Sequence, residues 1–237
     1  MERADKESLS HLRFLDLLLG QQAAARRDRA VQWRIRQARF VERQTLETFD
    51  WKFNPQIDRL QIEELASGDF IRRRSNLILV GQSGVGKSHL VQAIGMRACS
   101  LGYRALYTTS SSLLADLTAS LADKSLSLKL RRYRRPELLI IDEFGFDRIE
   151  RLESPQAAHL LYKVIVARHQ FRSTALVTNI DFDGWADYLA DGPLAMAFLD
   201  RLVEGAAIIK IKGKSYRARK TKTDQPSSED RSASSPS

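Results

Sequence analysis

The apolar positions of this chain change rhythm near Asn76. Before that point, Leu9, Leu12, Leu15 and Leu19 recur at helical spacing with Gly20 as a stop, and Val31, Ile35 and Ala38 mark a second amphipathic helix whose other face carries arginines. Pro55 and Ser67-Gly68-Asp69 predict a loop-rich joint. Beyond it, short apolar runs (Leu77–Val80, Ala105–Tyr107, Leu138–Ile141, Ala175–Val177 and Ala207–Ile211) alternate with longer segments of helical pattern. Runs without polar alternation suit strands covered on both faces, so the expected fold is α/β, a five-stranded, mainly parallel sheet behind a small N-terminal helical region. About thirty residues separate the second and third runs, and Leu113, Leu114, Leu117 and Leu121, then Leu126, Leu128 and Leu130, predict two helices where one would suffice. The stretch 221–237 is Ser-rich, without apolar periodicity, and reads as a disordered tail.

Composition narrows the function classes. Of 237 residues, 43% are hydrophobic, enough for a sizeable core. No apolar run approaches the ~18–20 residues of a membrane span, and the charged start lacks a signal-peptide core, so a cytoplasmic protein with no membrane partner is expected. One cysteine, Cys99, excludes an intramolecular disulfide framework and a Cys-only metal site.

The net charge of +9 is clustered. Arg34, Arg36 and Arg39 belong to an arginine-rich N-terminal stretch, and Arg72-Arg73-Arg74 precede the first apolar run. Lys124, Lys129, Arg131, Arg132, Arg134 and Arg135 form a second cluster around Tyr133, and Lys210 to Lys222 a third. A basic balance by itself is a weak pointer to nucleic acid. Basic residues with an interleaved aromatic suit contact with a DNA backbone; a solvated face is the plain alternative. For the N-terminal arginines, a docking arm for a neighbouring subunit is a further reading.

The specific chemistry begins at Gly81-Gln82-Ser83-Gly84-Val85-Gly86-Lys87-Ser88, a full match to G-x-x-x-x-G-K-[ST] between an expected strand and an expected helix. The glycines let successive backbone N–H groups turn toward phosphate oxygens, and the helix start adds positive potential. Lys87 is placed to reach the terminal phosphates of ATP, and the Ser88 hydroxyl to hold Mg2+. His89 adjoins the loop and counts with the nucleotide-binding residues, although by itself it reads as helix surface.

Leu138-Leu139-Ile140-Ile141 end in Asp142-Glu143, an apolar strand delivering two carboxylates where open α/β sheets place their chemistry. Downstream of a phosphate loop, the expected roles are metal support for Asp142 and orientation of the attacking water for Glu143. Phe144-Gly145 gives a false echo of a kinase motif, which Glu143 interrupts; a small-molecule P-loop kinase would also need an arginine-rich lid that no pattern identifies. The fourth run ends at Thr178-Asn179, and Asn179 either contacts the γ-phosphate or merely starts a turn. Arg201, in Asp200-Arg201-Leu202, reads by itself as a surface arginine.

These motifs, with the Leu46–Asp50 stretch, Trp185, the Asp191-Gly192-Pro193 turn and the closing Gly213-Lys214-Ser215-Tyr216-Arg217, resemble an IstB-like AAA+ ATPase, an insertion-sequence transposition helper related to the DnaC-type helicase loaders. The resemblance implies an ATPase with Mg2+, in which Asn179 is the sensor and Arg201 the arginine finger, delivered to the ATP of a neighbouring subunit. It implies a homo-oligomer on double-stranded DNA that assists a partner transposase, no C-terminal lid domain, and an extra helix facing the inside of the assembly. The expected organisation is a DNA-binding or assembly region over 1–54, the ATPase domain over 55–220 and the tail over 221–237. A helicase loader in DNA replication is the alternative function; it requires a helicase-binding N-terminal module.

Overall fold

A computed structural model describes residues 11–146, 156–213 and 215–216. Leu9, Lys214, Arg217 and the tail therefore lie outside the described residues.

All five apolar runs form strands: β1 (Leu77–Gly81), β2 (Ala105–Thr109), β3 (Leu138–Phe144), β4 (Ser173–Thr178) and β5 (Ala207–Ile211). They pair parallel in the order β2-β3-β4-β1-β5. Alternate residues feed two separate cores, as expected of strands covered on both faces. Ile78, Val80, Leu139, Ile141 and Leu176 enter one core, and Leu77, Leu79, Ile140, Ala175 and Val177 the other.

The first core is closed by α5 (Ser110–Ala122), α6 (Leu126–Arg134), α7 (Ala157–Arg168), α8 (Trp185–Leu189) and α9 (Gly192–Val203). The second is closed by the end of α1 (His11–Ala38), with α2 (Arg59–Ala66), α3 (Asp69–Arg72) and α4 (Lys87–Ser100). Helix starts follow local chemistry. Asp58 accepts from the N–H groups of Leu60 and Gln61 ahead of α2, Thr109 from Ser112 N–H ahead of α5, and Asp191 from Leu194 N–H ahead of α9. The two helices expected between β2 and β3 are α5 and α6.

Two expectations are corrected. Gly20 does not end a helix: α1 runs unbroken for 28 residues. One exposed glycine costs about 1 kcal/mol against alanine, and Gln21-Gln22-Ala23-Ala24-Ala25 after it are good helix formers. The joint near Pro55 is also less loop-like than expected, because Ile62, Leu65, Phe70 and Ile71 draw α2 and α3 into the core.

Candidate nucleotide-binding site

The loop after β1 lies at the carboxyl ends of the strands, and the order β3-β4-β1 sets β4 between it and the acidic pair. Together these elements line a cleft of about 630 Å³. Gly84 and Gly86 have φ of 82° and 100°, the left-handed region that favours glycine. A Cβ on Gly86 would also stand 2.8 Å from the Phe49 ring. Ser83 to His89 line the cleft; Gly81 and Gln82 lie at its root, where their carbonyls accept from Lys87 Nζ at 2.6 and 2.7 Å. The loop thus holds its own lysine pre-folded over the place of the phosphates.

Asp142 is buried, 1% exposed, and both its oxygens are engaged. Oδ2 accepts from the Tyr107 hydroxyl at 2.8 Å and Oδ1 from the Glu143 N–H at 2.8 Å. Burial, then the Asp142 charge, push the Tyr107 phenol well above its usual range, so it stays a donor. Tyr107 also lines the cleft. Sequence reasoning missed it because a tyrosine in an apolar strand carries no signal until β2 pairs with β3, Thr109 opposite Asp142.

Successive strand residues point to opposite faces, so a regular strand could not aim both carboxylates at one cleft. The register of β3 on β4 shifts between Ile141 and Phe144, and Glu143 takes φ of 60°. This bulge leaves Asp142 inside and turns Glu143 outward into the cleft lining. Asn179 lines the same cleft from the end of β4. Ser88 and Asp142 bring hard oxygen donors to it, and no cluster of three or more His, Cys, Asp or Glu competes for a metal among the described residues. That sparse set fits Mg2+, which keeps its waters and substrate phosphates.

His89 departs from the helix-surface reading. A ring nitrogen lies 2.8 Å from the Thr45 carbonyl, and Phe49 packs edge-on at 5.1 Å. The 45–53 segment so forms one wall of the cleft, and Tyr216 another.

Arg201 is not brought to this cleft. It lies in the last turn of α9 with its side chain 41% exposed and 3.4 Å from Asp200. Its carbonyl accepts from Asn76 Nδ2 at 3.3 Å, beside the amino end of β1 and thus at the opposite pole of the sheet.

The whole chain has clear relatives among known proteins. Residues 1–224 match the family described as IstB-like ATP binding protein. The chain belongs to that family. It is 34% identical over 229 residues to an ATP-binding protein of insertion sequence IS5376 from Geobacillus stearothermophilus, covering 97% of this chain and 90% of the relative. It is 35% identical to the IS21 counterpart from Pseudomonas aeruginosa, covering 97% and 88%. Among solved structures, DnaI aligns with a TM-score of 0.58 at 22% identity, covering 71% of this chain and 91% of that one. The DnaC helicase loader aligns at 0.55 and 22%, covering 65% and 87%. These likenesses show the P-loop AAA+ fold.

The basic residues of this IstB-like chain fall into distinct settings. Arg36 and Arg39 are exposed near the end of α1, and Arg34 is half-buried. The cluster on α6 is split. Lys129 and Arg132 turn to Asp116, the latter at 3.2 Å, whereas Arg131, Arg134 and Arg135 line a different cleft, away from the nucleotide loop. Tyr133 is not displayed for DNA: it is 2% exposed, with its hydroxyl 2.8 Å from Asp116. The apolar face of α6 claims it, a demand that the sequence run of arginines conceals.

Proposed function

We propose that this chain is an ATPase that assembles on double-stranded DNA in its ATP-bound state and assists a transposase, with hydrolysis resetting the assembly. The insertion-sequence relatives support transposition over helicase loading, because the resemblance to DnaI and DnaC is one of fold. One observation carries the mechanism. Among the described residues lining the nucleotide cleft, Lys87 is the only lysine or arginine.

Backbone N–H groups of 83–88 and Lys87 bind and orient the triphosphate. Ser88 and Asp142 would hold Mg2+, which when bound neutralises phosphate charge. Tyr107 fixes the Asp142 carboxylate, Glu143 orients the attacking water, and Asn179 contacts the γ-phosphate or that water. The γ-phosphoryl group needs further positive charge as it transfers, and Arg201 of an adjoining subunit supplies it.

Glu143→Gln separates binding from chemistry, since it keeps shape but loses the carboxylate. ATP affinity and DNA-bound assemblies should persist in gel-shift and sedimentation assays while phosphate release collapses. Assemblies lost with hydrolysis intact would show the acidic roles to be misassigned.

A further inference from the structure

A parallel sheet gathers the amino ends of its strands at one pole, however far apart they are in sequence. In this chain an arginine stands just ahead of four strands: Arg74 before β1, Arg104 before β2, Arg135 before β3 and Arg172 before β4. These four strands are consecutive neighbours in the sheet. Arg131 and Arg134, from the last turn of α6, join them, and the six side chains with Phe171 line one open cleft of about 400 Å³. It lies a strand length, roughly 20 Å, from the nucleotide loop.

The acidic complement is small. Glu137 lies 2.8 Å from Arg104 and 3.7 Å from Arg172. Burial would push its carboxyl up, but the hydrogen bonds and charge of Arg104, then the charge of Arg172, hold it at about 2. It is ionised at neutral pH and offsets one positive charge. Among the described residues, no ion pair engages the guanidinium of Arg74, Arg131, Arg134 or Arg135. Beneath them Arg168, 1% exposed, adds another guanidinium whose partners are neutral carbonyls and Thr174.

Planar guanidinium forks match phosphate oxygens, and anchoring several at strand ends holds their spacing. Phe171, 62% exposed among them, offers a ring face on which a sugar can pack. An open groove of repeated like charge suits a continuous backbone rather than an enclosed small molecule. We propose that this cleft is a phosphate-binding surface for the DNA backbone, made by Arg74, Arg104 and Arg172 together with Arg131, Arg134 and Arg135. It rests on the DNA-binding reading above and deepens it, by adding three arginines and removing Lys129 and Arg132, which Asp116 holds.

The test is the salt dependence of binding to a mixed-sequence DNA duplex. Arg74, Arg131 and Arg134 are exposed, so Arg74→Gln/Arg131→Gln/Arg134→Gln should fold and bind ATP as the native chain does. The slope of log affinity against log salt should flatten by about 0.9 for each phosphate that the variant no longer neutralises. Lysine at the same three positions should keep the native slope. A native slope in the glutamine variant, with a flattened one in Arg34→Gln/Arg36→Gln/Arg39→Gln, would overturn the cleft and leave DNA binding standing. A native chain that binds no duplex at any salt would overturn both.

Discussion

Tyr107 and Asp142 show how one hydroxyl governs a buried carboxylate. The phenol donates to Oδ2 and the Glu143 N–H to Oδ1, so Asp142 is held in one orientation before any nucleotide arrives. Tyr107→Phe keeps the ring that packs against Phe40 but frees that oxygen. Groups that orient a metal-supporting residue are typically worth about 10–100-fold in metal affinity or activity. Turnover should fall by about that factor and the Mg2+ dependence should move to higher concentration. Affinity for a fluorescent nucleotide measured without Mg2+ should be unchanged. If turnover and Mg2+ dependence both match the native chain, the phenol is only packing.

At the scale of elements, Arg168 ties α6, α7 and β4 together. From the last turn of α7, Nη1 donates to the carbonyls of Tyr133, Arg134 and Pro136 at 2.7, 3.2 and 3.1 Å. Nε donates to Thr174 Oγ1 at 3.1 Å, and Nη2 to the Ser173 carbonyl. The end of α6 thus has carbonyls satisfied by a side chain from another helix, where helices ordinarily rely on caps or water. Arg168→Met fills most of the volume and leaves these buried carbonyls without their donor. It should cost about 3–5 kcal/mol, read as a lower urea midpoint at unchanged m-value. Arg168→Lys should recover part of it. A loss under about 1 kcal/mol would mean that water replaces the guanidinium.

For the whole molecule, Lys87 is the only lysine or arginine lining the nucleotide cleft among the described residues and Arg201 is at the far pole, so the proposed mechanism requires an arginine from an adjoining subunit. Specific ATPase activity should therefore rise with protein concentration and on adding DNA. Arg201→Ala should bind ATP nearly as the native chain does yet hydrolyse it poorly, since a finger is worth ~10³–10⁵ in rate. Mixing it with Lys87→Ala, which keeps the finger but lacks the cation facing the phosphates, should restore activity at mixed interfaces. Concentration-independent turnover, together with an unimpaired Arg201→Ala, would return Arg201 to the solvated surface.

By itself the sequence determined the α/β class, the five strands, the helix pair before β3 and the phosphate loop. Each is written in local terms: a two-sided apolar run, a helical repeat, or glycines ahead of Lys87-Ser88. It also named Asp142, Glu143 and Asn179, because strand ends can be read from where apolar runs stop. Tertiary structure decided what depends on strand order and side-chain partners. Only the bulge in β3 shows how adjacent carboxylates reach one cleft, Asp142 buried in its wall and Glu143 exposed. Pairing of β2 with β3 recruits Tyr107. Arg131 and Arg132 are adjacent in sequence, but helical geometry and Asp116 send them to different surroundings. Arg74, Arg104 and Arg172 are remote in sequence, and parallel pairing alone brings them to one pole.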